Sequence, residues 1–289
     1  MSARLAVAVI AALAALAALV STVQAPETTV LDRPPLVATV YPAAEPAGVM
    51  VTSGGWAYCE QMRPVARRTR YTLLCGRYAK DGYLGLGLRS ERHLDWGNGA
   101  YLARLANAVA VLHRKVGGKL LLIGVSYSGF GVATLATHHP ELRPDRLIVI
   151  DSYFDLAARR RLLPDGHETA REIDAEAGTA SAGLLRRSAT AAGLARIVRT
   201  GTTLTVVWSV SEHERRRFNG ATCGRDASAA TLAELARRLR RPVVGWVTRS
   251  SHGRDLWRHG ALIVRGSMPG APISFRASGA VPAGSYCTS

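Results

Sequence analysis

The sequence lacks several features that would place it in a common protein class. It has no uninterrupted apolar run of about 20 residues, which excludes a protein with many membrane-spanning helices. Its four cysteines include no C-x-x-C pair, the spacing of many zinc and redox sites. Neither a fixed repeat nor a low-complexity segment is present, and 48% apolar with 20% charged residues excludes wholesale disorder and collagen. What remains is an ordinary globular chain of 289 residues, long enough for one large domain.

Lysine is also scarce. Only 3 of the 37 basic residues are lysines, and the 37 basic residues stand against 21 acidic ones, a formal net charge of +16. Such a charge is typical of proteins that bind nucleic acid or an acidic surface, but the arginine clusters are scattered, with few aromatic residues between them. We therefore read the charge as arginine-for-lysine bias on a solvated surface. We expect no nucleic-acid partner and at most a weak electrostatic association with an anionic cell envelope.

The N-terminus carries the longest apolar run, 16 residues from Leu5 to Val20. One arginine precedes the run and the triplet Val23-Gln24-Ala25 follows it, a pattern typical of a secretory signal peptide. We predict a signal peptide over residues 1–25, with a single retained anchor as the alternative, and one domain over residues 26–289. In either case the domain would be secreted or held at the cell envelope.

The cysteines fit this location. Cys59, Cys75, Cys223 and Cys287 are even in number, as disulfide-bonded cysteines are in an oxidising compartment. All four are disulfide candidates, and our preferred pairs are Cys59–Cys75 and Cys223–Cys287. The alternative is that some of them are free buried thiols.

From residue 49 onward, short apolar runs alternate with segments of helical spacing. This alternation predicts an α/β fold with a mostly parallel central sheet and helices on both faces. Residues 26–46 are rich in proline and predict an extended leader, and residues 157–199 predict helices without a strand. The predicted strands are Val49–Ser53, Tyr71–Cys75, Lys119–Gly124, Arg146–Ile150, Thr203–Val210 and Val243–Thr248. The predicted helices are Trp56–Arg68 (interrupted near Pro64), Tyr101–Lys115, Gly129–His138 and Ser228–Arg240, with Ala261–Val264 in a closing helix or short strand.

Two phosphate-binding motifs can be excluded at the end of the third predicted strand. A Walker loop needs a lysine after its second glycine, and Phe130 stands there after Gly129. A dinucleotide-binding motif needs a third glycine where Thr134 stands.

A third motif fits the same segment. The predicted strand Lys119–Gly124 runs directly into Ser126, and small residues, Gly124 and Ser128, lie two positions before and after it. This is the pattern of a nucleophile elbow, a strained turn between strand and helix that exposes a catalytic serine. Here it reads G-x-S-x-S, with serine in place of the more common final glycine. We identify Ser126 as the candidate nucleophile.

A serine nucleophile needs a base and an acid, which follow it in the chain in this type of fold. His252 lies just after the last predicted strand and is the candidate base, whereas His259 falls in the closing helix and fits a surface position. Asp151 and Glu212 each follow a strand, where carboxylates can reach a ligand at the sheet edge. The residues alone leave both open as the acid.

The same chemistry needs two backbone N–H groups to bind the oxyanion. One would come from Tyr127, directly after the nucleophile, and the other from the loop after the first predicted strand. In that loop Gly55 is the first choice and Trp56 the second.

These segments together resemble the α/β-hydrolase superfamily over roughly residues 36–265. Within it the chain looks like the thioesterase domains of polyketide and nonribosomal peptide synthases, which place the acid about 25 residues after the serine and the histidine about 100 further on. Here the separations are 25 (126 to 151) and 101 (151 to 252). The motifs that carry the resemblance are Gly54-Gly55-Trp56, Gly124-Val125-Ser126-Tyr127-Ser128-Gly129, Val149-Ile150-Asp151-Ser152-Tyr153 and Ser251-His252-Gly253.

The resemblance implies several expectations. It favours Asp151 over Glu212 as the acid and implies a helical lid over about residues 156–200. It implies a serine hydrolase that cleaves carboxylic esters or thioesters of small molecules or lipids through an acyl-enzyme, without metal or cofactor. A carrier-protein substrate is not carried over, because a signal peptide does not fit a cytoplasmic assembly line. The alternatives are a non-catalytic binding protein on this fold and a basic envelope-binding module.

Overall fold

The computed structural model describes residues 29–33, 35–54, 56–78, 95–163, 166–209 and 220–276. Within them, nine strands form one sheet in the order β1-β2-β4-β3-β5-β6-β7-β8-β9. The strands are β1 (Thr29–Arg33), β2 (Leu36–Tyr41), β3 (Gly48–Ser53), β4 (Tyr71–Tyr78), β5 (Lys119–Val125), β6 (Arg146–Ile150), β7 (Thr203–Ser209), β8 (Val243–Thr248) and β9 (Ala271–Phe275).

The six central strands, β4, β3, β5, β6, β7 and β8, all run parallel, and the outer strands β1, β2 and β9 pair antiparallel. β5 shows why the centre is parallel: six of its seven residues are buried, as in a strand covered by helices on both faces. The predicted α/β fold with a mostly parallel sheet is confirmed.

Helices cover both faces of this sheet. They are α1 (Trp56–Thr69), α2 (Gly99–Val116), α3 (Tyr127–His138), α4 (Leu156–Arg161), α5 (Glu168–Ala177), α6 (Ser181–Arg186), α7 (Ala191–Arg199), α8 (Gly220–Leu239) and α9 (Arg254–Arg265). One core cluster joins the sheet to α2, α3, α7 and α8, and a second joins the opposite face to α1 and α9. The four helices α4 to α7 occupy the chain between β6 and β7. No helix in the described ranges combines the length and hydropathy that a membrane span requires.

The structure differs from the predicted elements at the edges of the sheet. Where an extended leader was expected, β1 and β2 form an antiparallel pair, and five of the six β2 residues are buried. α1 continues through Pro64 without the expected interruption. The closing segment belongs to α9, and β9 follows it as an edge strand that the sequence pattern did not reveal.

The predicted Cys59–Cys75 disulfide is absent from the structure, which holds both residues as free, buried thiols in the cluster under α1. Burial raises the pKa of the Cys75 thiol well above its usual range, and a hydrogen bond with Cys59 acts in the same direction. A thiol kept protonated in this way is a poor partner for disulfide exchange. The other predicted pair, Cys223–Cys287, lies outside the side chains that the structure describes.

Candidate active site

Ser126 lies between the end of β5 and the start of α3, in a backbone conformation that non-glycine residues seldom adopt. Its φ is 54° and its ψ is −126°. The conformation is held by hydrogen bonds on both sides: the Ser126 N–H donates to Ile150 O at 2.8 Å, and the Ser126 carbonyl accepts from Gly129 N at 3.0 Å. Strained serines at this strand-to-helix junction are typical of a nucleophile elbow.

The neighbours of Ser126 show why the turn needs small residues. A Cβ on Gly124 would lie 2.3 Å from the carbonyl carbon and oxygen of Ser128, so only glycine fits. Ser128 itself is buried, and its Oγ lies 2.7 Å from Thr52 Oγ1 at the end of β3. The departure from the common final glycine is therefore accommodated, because the extra hydroxyl has a hydrogen-bonding partner in the core.

Asp151 follows β6, next to the elbow, and is also strained, with a φ of 50°. It is 1% exposed, yet its carboxylate is well supplied with donors. Oδ1 accepts from Ser209 N at 2.5 Å, and Oδ2 accepts from Ser209 Oγ at 2.9 Å and from Gly253 N at 2.6 Å. The loop that carries the candidate histidine is thus tied directly to this carboxylate.

The electrostatics of Asp151 result from opposing effects. Its pKa is raised from 3.8 to about 7, chiefly by burial and to a smaller extent by the nearby carboxylate of Asp255. The backbone N–H groups of Ser209 and Gly253 oppose that rise by binding the charged form. Asp151 is therefore a carboxyl group whose charge changes near neutral pH.

His252 lies in the loop after β8, beside Asp151. Its Nδ1 is 3.8 Å from Asp151 Oδ2, and 35% of its side chain is exposed. The structure therefore brings the candidate base and the candidate acid together.

Three polar residues next to the Asp151 carboxylate were not predicted from the sequence: Ser209, Thr248 and Asp255. Ser209 Oγ lies 2.9 Å from Asp151 Oδ2 and 2.7 Å from Asp255 Oδ2, and Thr248 donates its hydroxyl to the same Asp255 oxygen. A hydroxyl has one hydrogen, so Ser209 can donate to only one of the two carboxylates at a time. Thr248 ends one predicted strand and Ser209 is the last but one residue of another, and those positions were the available signal for them.

Tyr127, the candidate oxyanion donor, is the first residue of α3, and the first N–H groups of a helix have no acceptor within it. Its side chain is fixed from the other side, because the Tyr127 hydroxyl accepts from Trp96 N at 3.2 Å and the two rings pack edge to face with centroids 5.0 Å apart. Of the second-donor candidates, Trp56 is the first residue of α1, and Gly55 lies outside the described residues. The alternative acid Glu212 lies outside them as well.

Among the described residues, metal-binding side chains are not clustered at this site. In the ranges that the structure covers, no group of three or more His, Cys, Asp or Glu side chains is arranged to hold a metal ion. The described polar groups near Ser126 are instead those of proton transfer: an imidazole, a buried carboxylate and hydroxyls.

The sheet order, the strained serine after β5 and the carboxylate after β6 define an α/β-hydrolase-like fold. No protein-family model and no curated protein matches the sequence. Among solved structures, the acylaminoacyl peptidase of Pyrococcus horikoshii is similar, with a TM-score of 0.59 and 14% identity. The match covers 83% of this chain and 40% of that one.

Two further structures match this chain at low identity. The capsule O-acetyltransferase of Neisseria meningitidis serogroup A has a TM-score of 0.51 and 10% identity, over 82% of this chain and 92% of that one. A bacterial membrane phospholipase A has a TM-score of 0.48 and 17% identity, over 91% of this chain and 95% of that one. Identities this low establish similarity of fold alone.

Proposed function

We propose that the protein is a secreted or cell-envelope serine hydrolase that cleaves carboxylic esters or thioesters through an acyl-enzyme. The observation that carries the proposal is the strained Ser126 beside a buried carboxylate that lies 3.8 Å from a histidine. The peptidase and the O-acetyltransferase of similar fold are, by their names, also proteins that act on acyl groups. The apolar N-terminal run supports the location.

In the proposed reaction Ser126 Oγ attacks the carbonyl carbon of the ester while His252 takes the hydroxyl proton. Asp151 holds the imidazole through Nδ1 and stabilises its positive charge. The N–H groups of Tyr127 and of Gly55 (or Trp56) bind the oxyanion, each contributing on the order of 3 kcal/mol. Collapse of the intermediate breaks the bond to the leaving group, which receives the proton from His252.

The second half of the reaction repeats these roles with water. His252 takes a proton from water as it attacks the acyl-enzyme, and the proton returns to Ser126 Oγ when the acid is released. The substrate is a small-molecule or lipid ester, and this sequence of steps uses no cofactor.

Hydrolysis of 4-nitrophenyl esters tests the proposal. Ser126→Ala and His252→Ala should each lower kcat on the order of 10⁴-fold, since triad members act as a unit. Ser181→Ala, an exposed serine at the start of α6, is the matched control and should retain full activity. Activity that survives in Ser126→Ala would rule out Ser126 as the nucleophile, and no activity in the wild-type protein would support the non-catalytic binding protein.

The acid is identified by a second pair of variants. Asp151→Asn should lower kcat on the order of 10³-fold or more, because an amide cannot stabilise the imidazolium, whereas Glu212→Gln should leave it within a few-fold. The reverse result would assign the acid to Glu212.

A further inference from the structure

A cavity of about 360 Å³ lies beside His252 and is lined by Ser251, His252, Arg254 and Arg258. The two arginines are one turn apart on α9, and both are exposed. The candidate catalytic base and two guanidinium groups therefore share one concave surface.

The charge of this cavity is unbalanced. Among the described residues, no acidic side chain lines the cavity and neither Arg254 nor Arg258 has an ion-pair partner. The one acidic residue in the first turn of α9 is Asp255. Its side chain is buried and accepts hydrogen bonds from the hydroxyl groups of Ser209 and Thr248. Two like charges at this helical spacing slightly disfavour the helix.

Some other arginines of this basic chain are paired with acidic residues. Arg160 binds Asp174 with its Nε at 2.8 Å, and Arg237 binds Glu234 at 2.6 Å. The pair at the cavity differs from them in having no acidic partner and in lying next to a catalytic candidate. A guanidinium pair of this kind is suited to carboxylate or phosphate oxygens.

We propose that Arg254 and Arg258 form a subsite for an anionic group on the leaving-group side of the substrate. This inference rests on the proposed function. His252 must deliver its proton to the leaving oxygen or sulfur, so the leaving group lies against the histidine and next to this cavity. The substrates are then esters or thioesters whose alcohol or thiol portion carries a phosphate or a carboxylate.

Matched chromogenic esters test the subsite. 4-Nitrophenyl butyrate has a neutral leaving group, 3-carboxy-4-nitrophenyl butyrate adds a carboxylate to it, and the 4-nitrophenyl monoester of glutarate places the carboxylate on the acyl side. For Arg254→Gln/Arg258→Gln, kcat/KM on the ester with the anionic leaving group should fall about tenfold at low salt. The other two esters should change less than twofold.

A control variant separates the subsite from the general charge of the molecule. Arg104→Gln/Arg114→Gln removes the same charge from α2, on the opposite face of the sheet, and should leave all three rates unchanged. Equal losses in both double variants would overturn the subsite, as would an unchanged ratio of anionic to neutral rates. Neutral-ester hydrolysis that is absent in wild type, or persists in Ser126→Ala, would instead overturn the proposed function.

Two further substrates distinguish the source of the anion. Acetyl-coenzyme A offers a soluble thiol that bears phosphates, and phosphatidylglycerol vesicles offer a lipid head group. Loss of rate in Arg254→Gln/Arg258→Gln on one of them supports the subsite and names the source. If the wild-type protein and the double variant turn over each of the two substrates at the same rate, the subsite is contradicted.

Discussion

At the scale of single residues, Asp151 combines two demands that oppose one another. Its carboxylate is nearly inaccessible to water, which favours the neutral form, while two backbone N–H groups bind the charged form. The result is a pKa of about 7. Since the proposed mechanism needs the carboxylate ionised, kcat/KM should fall as the pH drops below about 7.

The neighbouring carboxylate of Asp255 offers a test of the raised pKa of Asp151. Asp255 raises the pKa of Asp151, so Asp255→Asn should lower it and shift the acid limb of the kcat/KM profile to lower pH. The amide oxygen can still accept from Ser209 and Thr248, which limits the loss of packing. A profile that keeps its position in Asp255→Asn would show that Asp255 does not act on the catalytic acid.

Some of the site residues could be predicted from the sequence and others could not. Ser126, Asp151 and His252 each follow a strand whose apolar run is easy to recognise, and parallel strands bring such positions to one edge. Asp255 was not predicted as a site residue, because a carboxylate in the first turn of a helix is ordinarily explained by its favourable interaction with the helix dipole. Its contact with Ser209 joins residues 46 positions apart, which no local pattern encodes.

At the scale of elements, the junction of β5 and α3 depends on the absence of a side chain at Gly124. Gly124→Ala would place a Cβ 2.3 Å from Ser128 backbone atoms, so the turn must shift. We expect destabilisation of about 1–3 kcal/mol and a loss of esterase activity well beyond that of a surface change. Chemical denaturation and ester hydrolysis measure the two effects.

Gly99→Ala is the control for that prediction. A Cβ at this position, at the start of α2, meets no atom within 4 Å, so stability and activity should stay close to wild type. Full activity in Gly124→Ala would mean that the turn is not under the steric constraint described.

The central strands were predictable because they are continuous apolar runs: β5 and β6 were predicted almost to the residue. β1 and β2 were missed, although five of the six β2 residues are buried, because residues 26–46 contain five prolines and have the composition of a loop. β9 was missed because it is a short edge strand. α1 tolerates Pro64 within an otherwise helical segment, where local preference alone predicts an interruption.

At the scale of the whole molecule, the fold places the three triad candidates after the carboxyl ends of the parallel strands β5, β6 and β8. β5 and β6 are neighbours in the sheet, and β7 lies between β6 and β8. The apolar cluster around Trp96, Phe130 and Tyr153 packs α4 to α6 against the helix that follows Ser126. The helical segment between β6 and β7 is therefore an integral part of the site's surroundings. Whether it acts as the lid implied by the resemblance stays a prediction.

In the structure, the arginines behind the net charge of +16 differ in their surroundings. Arginines such as Arg160 and Arg237 are balanced locally, and this supports the interpretation of a solvated, arginine-biased surface. Arg254 and Arg258 are distinguished by their position in the cavity beside His252, where the proposed function can use their charge. The predicted location at the cell envelope rests on residues 1–25, which lie outside the part of the chain that the structure describes.

The most direct test of a serine nucleophile is labelling with a fluorophosphonate, which reacts with a serine activated by a neighbouring base. We expect one adduct per molecule by intact mass, located on the peptide that contains Ser126. The adduct should be lost in Ser126→Ala and retained in Ser181→Ala. No labelling of the wild-type protein, or equal labelling of Ser126→Ala, would contradict the proposal that this protein is a serine hydrolase.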